Sequence, residues 1–231
     1  MPGSVSLFIW GLVTALELVV VVCSVYRKSF LNYFFLNFYM LLSVLSSVLR
    51  FIILRAYGYQ SDQYMYSYYY TDALLTITLF IALISLYSLV LGELHISRYL
   101  RLAAVVLLLG TALFSYGVVE QSANRLSTAF AYQLSQNLYF VGLVLTYILW
   151  GAVLKLRETR IRLVQFVLAL GLYFSAYAAS YALINLAEKY TILQYLSPLL
   201  GCFLPISWAY TLFRHSEESR LQTAQLVAVQ R

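Results

Sequence analysis

Long apolar runs alternate with short polar breaks along the chain. The runs fall at roughly 4–26, 31–54, 71–93, 100–119, 129–154, 163–187 and 191–213. Each reaches the ~20 residues that an α-helix needs to cross a bilayer. They are continuous rather than alternating, which excludes a β-barrel. The pattern predicts an all-α, polytopic membrane protein with a bundle of seven transmembrane helices in one domain, 1–213. A short cytoplasmic tail, 214–231, follows. The first run ends in "VVCSVYRK", without a small-residue cleavage site, and is followed at once by a second run. It therefore reads as a retained helix rather than a signal peptide.

Composition agrees: 62% of the 231 residues are hydrophobic and only 10% are charged, with a mean hydropathy of +0.80. A water-soluble domain needs about a quarter of its residues charged. The formal charge of +6 follows topology. Arg27, Lys28, Arg98, Arg101, Lys155, Arg157, Arg160, Arg162, Arg214, Arg220 and Arg231 fall on one side of the predicted bundle. Arg55, Arg125 and Lys189 fall on the other, with Arg50 just inside the membrane. The positive-inside rule then places the N-terminus outside and the C-terminus in the cytoplasm of a multi-pass cell (plasma or inner) membrane protein. Nothing in the chain supports nucleic-acid binding. Cys23 and Cys202 sit inside predicted spans and suggest neither a disulfide framework nor a metal site.

The break between the second and third runs is "YGYQSDQYMYSYYY", with seven tyrosines in fourteen positions. It reads as an external loop, 55–71. Tyrosine anchors helix ends at the headgroup layer, but one or two rings per end suffice. The surplus suggests a lid or a partner surface, in which Tyr68, Tyr69 and Tyr70 face the bundle.

Polar positions within the runs point to the same outer third. Tyr173, Tyr177, Tyr181 and Asn185 recur every four residues and form one helical stripe. Gln133, Gln136 and Asn137 lie on the fifth helix, and Gln194 and Ser197 on the seventh. Tyr39, Ser43, Ser46 and Arg50 lie on the second. Such groups turn toward a bundle interior, either to bond helices together or to line a ligand cavity. Arg50 needs an anion or a route to water. Asp72 stands at matching depth as a structural partner, and an anionic or carbonyl-bearing ligand is the functional alternative.

Deeper, Glu17 interrupts "LVTALELVVVV" near the level of Tyr39 and of Pro205, whose ring frees a backbone carbonyl. A carboxyl in apolar surroundings is expected to be protonated. It then serves as a hydrogen-bond donor to either group, or as a proton site with Tyr39. Pro198 and Pro205 mark two kinks in the seventh run, and Leu221, Ala224 and Val227 align as one side of a short surface helix.

The seventh run has no lysine, so a retinal Schiff base there is unavailable. His95 and His215 both lie near the cytoplasmic surface, which argues against a paired-histidine haem. "GELHISR" and "PISWAY" do not match receptor switch motifs. "DQYMYSYYYTDALL" leading into the third helix, and Glu93 in "LVLGEL" ending it, resemble an uncharacterised bacterial family of short seven-helix membrane proteins. That resemblance transfers no catalytic residue. No acid, base, nucleophile and metal come together, which leans against an enzyme. The first reading is a receptor-like sensor or accessory subunit of a membrane assembly, binding a small external ligand or a partner at its outer face. Other membrane subunits or a second copy are the candidate partners. The alternative is a 3+1+3 small-solute carrier, proton-coupled through Glu17. It is suggested by the basic turns "YRKS" and "KLRETRIR" after helices one and five, although the PQ dipeptide of such carriers is absent.

Overall fold

The computed structural model describes residues 4–27, 29–91, 97–120, 126–156, 160–186 and 193–214. Among them there are seven helices and no strand. The helices are α1 (Ser4–Tyr26), α2 (Phe34–Tyr57), α3 (Asp62–Val90), α4 (Ser97–Glu120), α5 (Leu126–Lys155), α6 (Ile161–Leu186) and α7 (Leu193–Arg214). The first six are long and apolar enough to cross a membrane; the apolar part of α7, Leu199–Arg214, is shorter. Large apolar side chains face outward, among them Leu102, Val106, Leu109 and Leu113 on α4. Water-soluble monomers rarely expose so continuous an apolar surface. Lipid accommodates it.

Six helices close a circuit: α1 packs on α2, α2 on α3, α3 on α5, α5 on α6, α6 on α7, and α7 back on α1. α4 stays outside the circuit, against α5 and, less extensively, α3, while α3 also meets α6 across the middle. The circuit closes on a core that includes Val20, Met40, Leu83, Leu149, Leu170, Phe174, Leu204 and Trp208. At Gly142 the α5 backbone lies directly on Phe174 of α6: an added Cβ would stand 2.3 Å from its Cε1 atom. Only a glycine admits that approach.

One end of the bundle is basic. There, Arg27 donates to the carbonyl of Phe213 at 3.2 Å, and Arg160 to that of Leu89 at 2.8 Å. Both guanidiniums thus occupy carbonyls that the last turns of α7 and α3 leave unpaired. Asn37 clasps the α1–α2 connection by donating to the carbonyls of Phe30 and Tyr33.

The other end carries the tyrosines, and here the expected loop is corrected. The chain between α2 and α3 is only a short turn around Gly58, whose φ of 83° suits glycine. Ser61 caps α3 by accepting from the Tyr64 amide at 3.1 Å. Five of the seven tyrosines, Tyr64, Tyr66, Tyr68, Tyr69 and Tyr70, therefore lie on the first turns of a 29-residue helix, while Tyr57 ends α2 and Tyr59 lies in the turn. Hydropathy missed this because phenol-rich turns are not apolar enough to extend a span. The serine cap and the absence of proline decide the backbone instead.

Candidate functional site

A helix sorts the tyrosines by face. Tyr66 and Tyr70 stack on one another at 6.3 Å on the exposed side, as a belt would. Tyr68 projects from the opposite face of the helix, where it too remains exposed. The Arg50 guanidinium lies over its ring, 4.5 Å from the centroid. Arg50 Nε donates to Thr71 Oγ1 at 2.6 Å, and its Nη2 donates to the Tyr68 carbonyl at 3.2 Å. Thr71 passes its own proton to the Ser67 carbonyl at 2.6 Å. Arg50 is thus built into the α2–α3 seam. Asp72 stands within its electrostatic reach and beside Ser135 of α5, but the guanidinium donors just named go to Thr71 and Tyr68.

From Tyr68 inward, phenol rings touch in an unbroken series. Tyr68 meets Tyr69 edge-on at 5.6 Å, Tyr69 meets Tyr132 at 6.3 Å, and Tyr132 meets Tyr181 at 5.5 Å. Tyr181 adjoins Tyr139 at 5.6 Å, Tyr139 stacks on Tyr177 at 4.8 Å, and Tyr177 adjoins Tyr173 at 4.6 Å. Offset and edge-to-face pairs at such spacings are attractive beyond simple burial. Tyr132, Ser135 and Tyr139 share a face of α5 at i, i+3 and i+7, while Tyr173, Tyr177 and Tyr181 share one of α6 at i, i+4 and i+8. The Tyr177 hydroxyl reaches across to α7, where a Cβ on Gly201 would lie 4.0 Å from it.

Asp72 is the centre of this array: Tyr39, Tyr68, Tyr132, Tyr139 and Tyr181 all lie within electrostatic reach of its carboxyl. The Ser135 hydroxyl is fully buried and stands within hydrogen-bonding reach of the same carboxyl. Asp72 itself retains accessible surface, although α2 and α5 pack against α3 beside it.

Below the phenols the core closes. Tyr173 brings its hydroxyl within hydrogen-bonding reach of Tyr39. Tyr39 packs edge-on against Trp208 at 6.1 Å, Trp208 against Phe166 at 5.9 Å, and Phe166 against Tyr33 at 4.8 Å. All four rings are buried. They floor the site on the basic side. Glu17, also buried, accepts a 2.6 Å hydrogen bond from Ser43, one turn along α2 from Tyr39, and its second oxygen is unpartnered. Ser43 thus bonds directly to Glu17, and Tyr39 lies within electrostatic reach.

The sequence-predicted residues divide accordingly. Arg50, Tyr68, Tyr69, Asp72, Tyr177 and Tyr181 come together, and Tyr70 faces away. Gln133 and Asn137 point toward α4: Asn137 donates to Ser115 at 2.9 Å and Gln133 donates to Asn137 at 3.4 Å. Gln136 is buried. The side chains of Asn185, Gln194, Ser197, Pro198, Glu93 and His95, and the tail from His215 onward, lie outside the described residues. Other hydroxyls in the helices, including Thr14, Thr76, Thr78, Thr111 and Ser180, bond back to their own helix carbonyls. Sequence reasoning missed Tyr132, Ser135, Tyr139 and the floor of Tyr33, Phe166 and Trp208. The spacing of Tyr132, Ser135 and Tyr139 carried the signal, but an aromatic facing lipid and one facing a core look alike in an apolar run. No protein-family model, curated protein or solved structure matches this chain.

Proposed function

We propose that this is a non-enzymatic membrane protein that binds a small ligand from the tyrosine end, as a receptor-like sensor or the accessory subunit of a membrane assembly. The observation that carries the reading is an asymmetry. Acid, hydroxyl and phenol groups converge between the tyrosine end and mid-bundle, whereas four buried rings close the way to the basic end. A carrier needs a polar route through both halves. The basic excess orients the tyrosine end outward.

The second reading is a 3+1+3 carrier, and the helix order favours it. With α4 outside, α1–α2–α3 and α5–α6–α7 are equivalent triads: α3 adjoins α5 as α7 adjoins α1. Arg27 after α1 caps α7, and Arg160 after α5 caps α3 in the same way. Flux separates the two. Reconstituted protein, offered labelled amines, amino acids, sugars and carboxylates, should retain at least one saturably without lumenal accumulation. Accumulation would make it a carrier, and retention of none would remove the binding site altogether.

A further inference from the structure

We infer that the basic end holds one anionic glycerophospholipid at the seam between α1 and α7, its phosphate shared by Arg27 and Arg214. The site is separate from the tyrosine end and does not rest on the reading given for it.

α1 and α7 run side by side in the same direction. In mid-bundle a Cβ on Gly201 would stand 3.9 Å from Val13 Cγ1, and at the basic end Arg27 donates to the Phe213 carbonyl at 3.2 Å. That bond sets the Arg27 guanidinium beside the backbone of Phe213, one residue from Arg214. Arg214 is held in place as well. Its guanidinium carbon lies 5.6 Å from the centre of the Tyr210 ring, one turn back on the same face of α7. Both arginines are exposed. Arg27 gives a single nitrogen to the protein, and among the described residues Arg214 donates to none. Their remaining N–H groups suit a phosphate, whose oxygens accept from such forks.

The charge at this seam has no protein counter-ion. Among the described residues the acids are Glu17 and Asp72 within the spans, and Asp62 and Glu120 at the tyrosine end. The C-termini of α1 and α7 oppose an anion, with roughly half a negative charge each. Two guanidiniums outweigh them by about one unit, which matches a single phosphodiester. The apolar surroundings favour a lipid over free phosphate. From the level of the guanidiniums into the bilayer, Val22 and Val25 of α1 and Ile206, Tyr210 and Phe213 of α7 are exposed. Acyl chains descend from a headgroup along such a surface, and basic sites between helix ends select anionic headgroups. The lipid would join the first and last helices where the circuit closes.

The test is native mass spectrometry of the full chain in detergent, with phosphatidylglycerol or phosphatidylcholine added. The chain should retain one phosphatidylglycerol under conditions that strip phosphatidylcholine. Arg27→Gln and Arg214→Gln should each weaken that binding about tenfold, as loss of one charge-assisted hydrogen bond does. Lys155→Gln, which removes an exposed charge elsewhere on the same end, should leave it unchanged. In nanodiscs, phosphatidylglycerol should raise the unfolding temperature of the unmodified chain and of Lys155→Gln, but not of Arg214→Gln. Arg214→Gln keeps the Arg27–Phe213 bond, so the comparison holds even if Arg27→Gln loosens the end of α7. Equal weakening in Lys155→Gln would overturn the site and leave only the summed charge of the basic end. Full retention in Arg214→Gln would remove the seam from the account, and equal retention of phosphatidylcholine would remove the anionic requirement. Equal stabilisation of the detergent-solubilised chain by inorganic phosphate would overturn the lipid.

Discussion

Glu17 shows how narrowly a single polar side chain is supported here. Of its two oxygens, one accepts from Ser43 and the other has no partner. Removing the hydroxyl by Ser43→Ala leaves the whole carboxyl unsatisfied, at a cost of about 1–3 kcal/mol. Unfolding of the detergent-solubilised protein should show that loss. In a Glu17→Met background the same Ser43→Ala change should cost little, because no carboxyl remains to be satisfied. Equal losses in both backgrounds would mean that Ser43 contributes by packing alone. Arg50 illustrates a different case: it donates to Thr71 and to the Tyr68 carbonyl across the α2–α3 seam, so its removal disturbs that seam first.

Among the elements, α5 and α6 have the least room between them. The 2.3 Å approach of a Cβ at position 142 to Phe174 cannot be relieved by a surface rotamer, since that ring is fully buried. Gly142→Ala should therefore destabilise the protein by about 1–3 kcal/mol, the usual cost of overpacking. Thermal unfolding should show it, with partial recovery in Gly142→Ala/Phe174→Leu. Much of this level was legible in the residues: continuous apolar runs mark helices, and the four-residue recurrence of Tyr173, Tyr177 and Tyr181 marks one stripe. The start of α3 was hidden, because a bilayer-length rule stops where apolarity stops, whereas Ser61 and helix-compatible tyrosines carry the backbone further. The inward face of α5 was hidden as well. Gln133 and Asn137 drew attention by polarity and face α4, while Tyr132 and Tyr139, which reach the core, resembled ordinary membrane aromatics.

For the molecule as a whole, orientation is the first property to test. Gln63 and Lys155 are exposed at opposite ends of the bundle. In a chain with Cys23 and Cys202 replaced by serine, Gln63→Cys should react with an impermeant maleimide on intact cells, and Lys155→Cys only after permeabilisation. The reverse pattern would place the phenols on the cytoplasmic side. The helix circuit was not legible beforehand, since runs of similar hydropathy do not state which neighbour each prefers; the position of α4 outside it emerges only from packing. The unbroken series of phenols has a further consequence. From Tyr68 to Tyr173 successive rings lie 4.6–6.3 Å apart, and Tyr39, beside Tyr173, rests on Trp208. Because the excited state of an indole lies below that of a phenol, ultraviolet excitation absorbed by these tyrosines is expected to pass to Trp208. The series should thus act as an antenna, with Trp208 in the floor as its acceptor; Trp208→Phe should raise the tyrosine emission.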